Sequence, residues 1–288
     1  MSAPDVEVRL GIEYANHDGV SLLGDLYMPA APGAYPTLLL IHGGAWKMGS
    51  RAGYQYWGPY LARRGYVGFA VDYRLATPRQ PMYPQNVHDV KAAVQFLRGM
   101  GPAIKVDPDR IGAMGDSAGG HLSALLALSG DSPKLANPHT DDAYHGVSAR
   151  LQAAVPVYGV FDMLRQWEHD QVTRSRDQIT EKYLGGSPME IRDVFYEASP
   201  LSWTTIHNNQ AAFLVVWGDA DDIVDAESQS IPFVTALKRA GNYTRTVPIA
   251  GAPHFWMWEP LNEPHSYTDF LAPKLLRFLA DTLQGPSL

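Results

Sequence analysis

The sequence contains no cysteine, and its 288 residues include few positive charges. The missing cysteine excludes disulfides, thiolate nucleophiles, cysteine-bound zinc and iron–sulfur clusters. Lysine and arginine together number 23 against 30 aspartates and glutamates, which gives a net charge of −7. We therefore expect no basic surface for nucleic acid or for an anionic membrane.

Long apolar runs are also missing. The longest clean runs, such as Ala211–Trp217, have seven residues, whereas a membrane-spanning helix needs about 20. The first ten residues include acids and lack the apolar segment of a signal peptide. Because 45% of the residues are hydrophobic and 18% are charged, disorder is excluded. We expect a soluble, cytoplasmic protein with one domain over residues 1–288, and the sequence leaves open whether it forms a homodimer.

Short apolar runs recur along the chain, with helical patterns between them. The runs are Pro36–Ile41, Tyr66–Val71, Arg110–Met114, Leu151–Val157 and Ala212–Trp217. Such runs are typical of strands buried on both faces in a parallel sheet. Two earlier segments, Val6–Glu13 and Leu22–Met28, flank an Asp-Gly pair and predict an antiparallel hairpin. The alternation of strand and helix predicts an α/β protein with helices on both faces of its sheet.

One segment interrupts this alternation. Residues 160–207 are polar, aromatic and irregular, and they are too many for an ordinary connection. We predict an inserted cap there, with short helices near Met163–Arg174, Arg176–Leu184 and Met189–Glu197. Two later segments, Pro232–Ala240 and Pro273–Leu283, predict helices that cover the sheet.

A Gly-x-Ser-x-Gly motif follows one of the buried runs. It spans Gly115 to Gly119 with Ser117 at its centre, and a helical pattern begins at Ala118. In a strand–turn–helix of this kind, the sharp turn holds the serine hydroxyl out from the end of the sheet. The N–H groups at the start of the helix lie beneath that hydroxyl. We predict that Ser117 is a catalytic nucleophile.

A His-Gly-Gly-Ala-Trp segment at positions 42–46 follows the first run of the parallel set. Acyl transfer places negative charge on a carbonyl oxygen, so rigid N–H donors must already point at it. We predict that these donors are the N–H groups of Gly44, Ala45 and Ala118, with Gly43 as an alternative. His42 is expected to hold the loop rather than to act as a base.

An acid and then a base must follow the serine along the chain. The run Ala212–Trp217 leads into a loop with three nearby aspartates. We predict that Asp221 is the acid, and the alternatives are Asp219, Asp222 and, on another loop, Asp162.

Two histidines, His254 and His265, come after the predicted acid. His254 lies on a loop beyond the last predicted strand, where it can reach over the serine hydroxyl, whereas His265 lies where a helix begins. We predict that His254 removes the proton of Ser117 and that Asp221 orients its imidazole.

Together these motifs resemble the α/β-hydrolase superfamily. The resemblance rests on His42–Trp46, Val71–Leu75, Gly115–Gly120, the loop of Asp221, and His254. More narrowly, the motifs are similar to those of hormone-sensitive-lipase-like carboxylesterases and of bacterial feruloyl- and acetyl-esterase-like enzymes. The resemblance covers residues 20 to 285. It implies an eight-stranded, mostly parallel sheet and a cofactor-independent ester hydrolase that forms an acyl-enzyme.

Two features depart from this pattern. Many hormone-sensitive-lipase-like enzymes carry a long N-terminal cap before the oxyanion loop, and His42 comes too early for one. Ala45 replaces the third glycine of that loop, as in the His-Gly-Gly-x-Trp loop of kynurenine formamidases. We therefore expect residues 160–207 to form the cap, and an aryl-formamidase or amidase is the alternative enzyme. A non-catalytic receptor of the same fold is disfavoured because His254 is retained.

Aromatic residues flank the predicted base and the glycine-rich segment. We predict that Trp46, Phe161, Phe255 and Trp256 line the substrate site. Such a lining favours short-acyl or aromatic esters, so the expected partner is a small-molecule ester.

Residue types that bind metals occur close together in one loop, at His139, Asp141, Asp142 and His145. We interpret this segment as a solvated loop, because serine-based chemistry needs no metal. We therefore predict no metal and no cofactor.

Overall fold

The computed structural model of the chain describes residues 5–284. The first four and the last four residues of the predicted 1–288 domain lie outside this range. An eight-stranded sheet forms the centre of the molecule. Its strands are β1 (Val6–His17), β2 (Val20–Pro29), β3 (Tyr35–Ile41), β4 (Val67–Val71), β5 (Val106–Asp116), β6 (Ala153–Val157), β7 (Ala212–Gly218) and β8 (Thr244–Ile249).

The strands lie in the order β1-β2-β4-β3-β5-β6-β7-β8. β1 and β2 form the predicted hairpin, and β2 pairs antiparallel with β4. Every later pair is parallel. At the hairpin tip, Asp18 and Gly19 have φ values of 52° and 80°, which suits a two-residue turn between antiparallel strands. The predicted fold class, a mostly parallel eight-stranded α/β sheet, is confirmed.

Side chains of the central strands alternate between the two faces of the sheet. In β3, Leu38 and Leu40 pack into one apolar layer, while Leu39 and Ile41 pack into the other. All four side chains are buried. Because helices cover both faces, the strand reads as a continuous apolar run in the sequence.

Eight α-helices are present in the described range. They are α1 (Trp57–Ala62), α2 (Gln85–Met100), α3 (Ala118–Ser129), α4 (Met163–Thr173), α5 (Ile179–Leu184), α6 (Arg192–Ala198), α7 (Ser230–Ala240) and α8 (Tyr267–Leu283). α1 and α8 pack on one face of the sheet, and α2, α3 and α7 pack on the other. Across residues 5–284 we find no helix whose length and apolarity would let it cross a membrane.

Residues 160–207, called the insert below, contain three short helices, α4 to α6. α5 and α6 begin later than the sequence predicts, at Ile179 and Arg192. Gln178 and Ile191, the residues just before them, have non-helical backbone angles. Local pattern alone could not place these two helix starts.

Contacts of Gln229 and Tyr183 help to fasten the insert to the rest of the molecule. The buried amide of Gln229 accepts a hydrogen bond from the N–H of Phe161 at 2.7 Å and donates one to the carbonyl of Asp162 at 3.0 Å. In α5, the ring of Tyr183 stacks on Trp46 at a centroid distance of 4.3 Å. The insert therefore packs directly against the 42–46 segment.

The carboxyl ends of the parallel strands meet at one edge of the sheet, as they do in open α/β folds in general. The loops that follow β3, β5, β7 and β8 carry the 42–46 segment, Ser117, Asp221 and His254. The sheet topology thus brings together residues that are up to about 200 positions apart in the chain.

Candidate active site

Ser117 lies on the turn between β5 and α3 and has a left-handed backbone, with φ 53° and ψ −116°. A non-glycine residue in this region is strained, and such strain concentrates at functional sites. The glycines around it are required by close packing. A Cβ atom on Gly115 would lie 2.2 Å from the carbonyl oxygen of Gly119, and one on Gly119 would lie 1.9 Å from that of Ile41.

The three residues predicted as nucleophile, base and acid form one chain of hydrogen bonds. Nε2 of His254 lies 2.9 Å from Oγ of Ser117, and Nδ1 lies 2.6 Å from Oδ2 of Asp221. Because a carboxylate only accepts, Nδ1 carries the proton, and Nε2 is left to accept the proton of the serine hydroxyl. All three residues are buried, which shields these bonds from water.

Asp221 is held by its own loop. Its Oδ1 accepts hydrogen bonds from the N–H groups of Ile223 and Val224, each at 2.9 Å. These bonds fix the carboxylate so that Oδ2 faces His254. The loop turns on itself directly after β7, which is why the third residue beyond the strand reaches the histidine.

The other acids weighed from the sequence have different contacts. Asp219 accepts from the N–H of Gly251 at 2.6 Å, so it ties the loop after β7 to the loop that carries His254. Asp222 is exposed. Asp162 accepts from two N–H groups at the start of α4, at 3.0 and 3.1 Å, and therefore caps that helix.

The 42–46 segment is fixed by several hydrogen bonds. The hydroxyl of Tyr73 donates to the carbonyl of His42 at 2.9 Å, and the N–H of Ala76 donates to the carbonyl of Trp46 at 2.8 Å. The imidazole of His42 stacks on Tyr73 at 4.3 Å, and burial lowers its pKa. His42 therefore stays neutral and supports the loop, away from the serine–histidine pair.

The N–H groups of this segment differ in their hydrogen bonding. Gly44 and Ala45 have φ values of 117° and 53°, and within residues 5–284 their N–H groups find no acceptor in the protein. Ala118 begins α3, and the N–H groups of a helix's first turn have no intrahelical acceptor. The N–H of Gly43, the alternative donor, is occupied by Oδ1 of Asp116 at 3.1 Å.

Asp116 is buried next to Ser117 and accepts three hydrogen bonds at Oδ1. The donors are the N–H of Gly43 at 3.1 Å, the hydroxyl of Tyr54 at 3.0 Å and the indole of Trp258 at 3.4 Å. Burial raises the pKa of Asp116 to about 6, against the opposing effect of these donors. The carboxyl group joins the 42–46 segment to the end of β5.

His121 is a residue that sequence reasoning missed. Its Nδ1 accepts from the indole of Trp46 at 3.1 Å, and its Nε2 donates to the carbonyl of Ala198 at 2.8 Å. Burial lowers the pKa of His121 to about 4, so it is neutral and can make both bonds. It connects the 42–46 segment, α3 and the insert, and no local sequence signal marks such a long-range role.

The predicted aromatic lining needs correction. Phe161 is buried and stacks on Phe233 at 4.1 Å, and Trp256 is buried against Tyr158 at 5.3 Å. Neither side chain can touch a substrate in this arrangement, because both fill the apolar core. Their positions in the sequence gave no information about which of these rings would be buried.

The remaining two aromatic residues of that prediction, Trp46 and Phe255, differ in how far they are buried. The ring of Trp46 is buried between His121 and Tyr183. Phe255 is 67% exposed, and its ring meets His254 edge-to-face at 4.4 Å. Phe255 is therefore the member of the predicted lining with an accessible side chain, and Trp258, three residues further along, is also exposed.

The loop with metal-binding residue types is occupied by hydrogen bonds. Oδ2 of Asp142 lies 2.9 Å from Nε2 of His17 and 2.7 Å from Nδ2 of Asn137. His145 donates from Nε2 to the carbonyl of Asn137 at 2.9 Å. Between residues 5 and 284, no group of three or more potential ligands is arranged to hold a metal ion.

The sheet order, the turn at Ser117 and the loops at the sheet edge define an α/β-hydrolase. Within this class, the chain belongs to the BD-FAE family, whose model matches residues 24–237.

Two relatives from Mycobacterium tuberculosis are named as esterases. The chain is 33% identical to "Probable carboxylic ester hydrolase LipM", over 82% of this chain and 52% of LipM. It is also 33% identical to "Esterase LipC", over 73% of this chain and 50% of LipC. The chain thus spans about half the length of these curated relatives.

Solved structures show the same fold. An esterase from the planctomycete Thermogutta terrifontis superposes with a TM-score of 0.73 and 25% identity, covering 97% of this chain and 92% of that chain. A truncated carbohydrate esterase from gut microbiota gives a TM-score of 0.79 at 20% identity, covering 97% of this chain and 98% of that chain. The second match supports the fold alone.

Proposed function

We propose that this chain is a serine carboxylesterase that hydrolyses short-acyl or aromatic carboxylic esters through an acyl-enzyme. The observation that carries the proposal is the chain of hydrogen bonds from Asp221 through His254 to Ser117, at 2.6 and 2.9 Å, on a strained strand-to-helix turn. The names of the LipM and LipC relatives support the same type of reaction.

In the first half-reaction, Oγ of Ser117 attacks the ester carbonyl carbon while its proton passes to Nε2 of His254. Asp221 holds the imidazole in the required tautomer and stabilises the imidazolium that forms. The bond to the alcohol oxygen then breaks, and Nε2 gives its proton to that oxygen. A water molecule attacks the acyl-enzyme by the same route, which releases the carboxylic acid and restores the serine.

The negative charge on the carbonyl oxygen is received by the N–H groups of Gly44, Ala45 and Ala118. These donors lie on backbone that is already fixed by hydrogen bonds and stacking, so little reorganisation is needed during the reaction. Removing one donor of this kind from an acyl-transfer enzyme costs about 10²–10³ in rate.

The preference for short or aromatic groups is supported by the rings beside the serine. Phe255 contacts His254 and is mostly exposed, and Trp258 is 42% exposed while its indole reaches Asp116. Flat aromatic groups pack well on such rings in offset or edge-to-face geometry.

A panel of p-nitrophenyl acetate, butyrate and decanoate, together with formyl-kynurenine, tests the proposal. We expect kcat/KM to be highest for the two short esters. Ser117→Ala and His254→Ala are each expected to lower kcat by about 10⁴–10⁶-fold, because the residues act as a unit. His265→Ala is the matched histidine control and should leave kcat within about twofold of wild type, because His265 is exposed.

Two results would contradict the proposal. Ester hydrolysis that survives in Ser117→Ala would remove the acyl-enzyme mechanism. A higher kcat/KM for formyl-kynurenine than for every ester would favour the aryl-formamidase alternative instead.

A further inference from the structure

A cavity of about 360 Å³ lies at the end of α3 that is remote from Ser117. Lys91 and Gln95 of α2 line one side, and Gly130, Asp131 and the segment 145–149 line the other. α3 has 12 residues, so its rise of 1.5 Å per residue places Gly130 about 18 Å along the helix from the serine. The cavity is therefore separate from the candidate active site.

Lys91 is the unusual group in this cavity. The residue is 2% exposed, and its Nζ donates to the carbonyl of Gly130 at 2.7 Å. An ammonium group has three N–H donors, and among residues 5–284 that carbonyl is its single hydrogen-bond acceptor. Burial lowers the pKa of Lys91 to about 8, and a buried ammonium with unfilled donors carries a large desolvation cost.

Gln95, the other long polar side chain of this wall on α2, is already hydrogen-bonded. The amide nitrogen of Gln95 donates to the carbonyls of His145 and Val147, at 2.7 and 2.8 Å. Asp131 also lines the cavity, and its negative charge would oppose an anion if it were free.

The carboxylate of Asp131, however, already accepts from three donors. The hydroxyl of Ser148 and the N–H of Ala149 each lie 2.7 Å from it, and the guanidinium of Arg150 lies at 3.2 Å. Lys91 is therefore the charged group in the wall that has donors left for a ligand.

We propose that this cavity binds a small carboxylate, whose two oxygens accept the remaining N–H donors of Lys91. A carboxylate supplies both a counter-charge and two acceptors, and charge-assisted bonds of this kind are stronger than neutral ones. A cavity of about 360 Å³ has room for acetate or propionate together with water, since one water occupies about 30 Å³ in the liquid. The proposal concerns a second site and does not depend on the esterase reaction.

Acetate is the probe, and its neutral isostere acetamide is the control ligand. Binding is measured by saturation-transfer NMR and by the shift of the thermal unfolding midpoint. We expect saturable acetate binding, and we expect acetamide to bind at least about tenfold more weakly, because it lacks the charge. Equal binding of the two ligands would overturn the proposal, as would a lack of saturable acetate binding, which would mean that the cavity holds water alone.

Lys91→Met keeps the long unbranched side chain and removes the ammonium. It should weaken acetate binding by at least about tenfold. Lys182→Met is the matched control, because Lys182 also donates from Nζ to a backbone carbonyl, that of Asp177 at 2.7 Å, on an exposed surface. We expect that control to bind acetate like wild type. Undiminished binding in Lys91→Met would overturn the proposal.

Labelling of the wild-type protein gives an independent measurement if Lys91→Met fails to fold. Cyanate carbamoylates the neutral amine of Lys91, and peptide mass mapping gives the rate at that residue. Acetate should slow this reaction several-fold while acetamide leaves it unchanged. The proposal fails if acetate gives no protection at Lys91. Neither result depends on whether Ser117 hydrolyses esters.

Discussion

At the scale of single residues, the candidate site depends on backbone positions that few side chains tolerate. Ser117 and Ala45 both have φ 53°, and Phe255 has φ 71°. Each lies in one of the loops that end a parallel strand. Such strained residues persist only where the surrounding structure holds them, as the hydrogen bond from the N–H of Ser117 to the carbonyl of Val157 does at 2.9 Å.

The tautomer of His254 should depend on the charge of Asp221. Asp221→Asn keeps the size of the side chain but offers an N–H where Nδ1 now donates, so the imidazole turns to the wrong tautomer. We expect kcat for p-nitrophenyl acetate to fall by about 10⁴-fold, as for the equivalent change in serine proteases. Asp222→Asn, one residue further and exposed, should leave kcat near wild type. Similar losses of kcat in both variants would show that the substitutions act through the stability of the loop and not through the tautomer of His254.

Asp116 should act as a positioning residue for the oxyanion segment. Asp116→Ala removes the acceptor that Gly43, Tyr54 and Trp258 share. We expect kcat to fall by about 10–100-fold with little change in KM, because donors aimed at the transition state are misplaced. Asp116→Asn retains an oxygen acceptor and should recover most of kcat. An equal loss of kcat in Asp116→Asn and Asp116→Ala would show that Asp116 does not act as a hydrogen-bond acceptor.

At the scale of elements, a buried histidine joins three separate parts of the chain. His17 lies at the end of β1, with Nδ1 2.6 Å from Asp89 of α2 and Nε2 2.9 Å from Asp142 of the loop between α3 and β6. Its ring stacks on His139 at 3.7 Å, and the guanidinium of Arg74 also contacts Asp89. Both ring nitrogens face carboxylates, so the cluster favours the imidazolium form.

This cluster gives stability a defined pH dependence. Burial lowers the pKa of His17, but the bonds to Asp89 and Asp142 outweigh it, so the net shift is upward from 6.5. A raised pKa means that the folded state holds the proton more tightly than the unfolded state. The stabilisation is therefore complete below about pH 6.5 and is lost as the pH rises through the folded-state value.

His17→Gln tests this dependence. Urea unfolding at pH 6 should show the variant to be less stable than wild type by about 1–3 kcal/mol, the contribution of hydrogen bonds to a charged group. The difference in the free energy of unfolding between His17→Gln and wild type should be smaller at pH 9. The difference between His265→Gln and wild type should not change with pH in this way. A gap that is constant between the two pH values would contradict a protonated His17.

At the scale of the whole molecule, the insert shares its packing with the sheet. Met163, Tyr183 and Phe195, from α4, α5 and α6, belong to the same apolar layer as strands β3 and β5. His121 and Gln229 add hydrogen bonds across the boundary. A separate cap domain would need a core of its own, and these residues are part of the common one.

We therefore predict that the chain unfolds as one cooperative unit. Differential scanning calorimetry should give a single transition whose calorimetric and van't Hoff enthalpies agree. Tyr183→Ala removes the ring that stacks on Trp46 and should lower the midpoint of that single transition without splitting it. Two resolved transitions, in wild type or in the variant, would mean that residues 160–207 form an independent domain.

The sequence by itself determined the fold class and the candidates for the reacting groups. Continuous apolar runs predict buried parallel strands, and the motif around Ser117 marks a turn that is local in the chain. His254 could be chosen because only two histidines follow the predicted acid and the other, His265, lies where a helix is expected to begin. Asp221 could be ranked above its neighbours only by its distance from the strand end. These inferences work because they depend on neighbouring positions.

Only the tertiary structure decided which side chains face the site and which fill the core. Phe161 and Trp256 are as aromatic as Phe255, yet packing against Phe233 and Tyr158 buries them. The positioning roles of Asp116 and His121 depend on partners from distant segments. Whether a side chain is exposed, and which groups it meets, is set by the packing of elements far apart in the chain, and no local pattern records that.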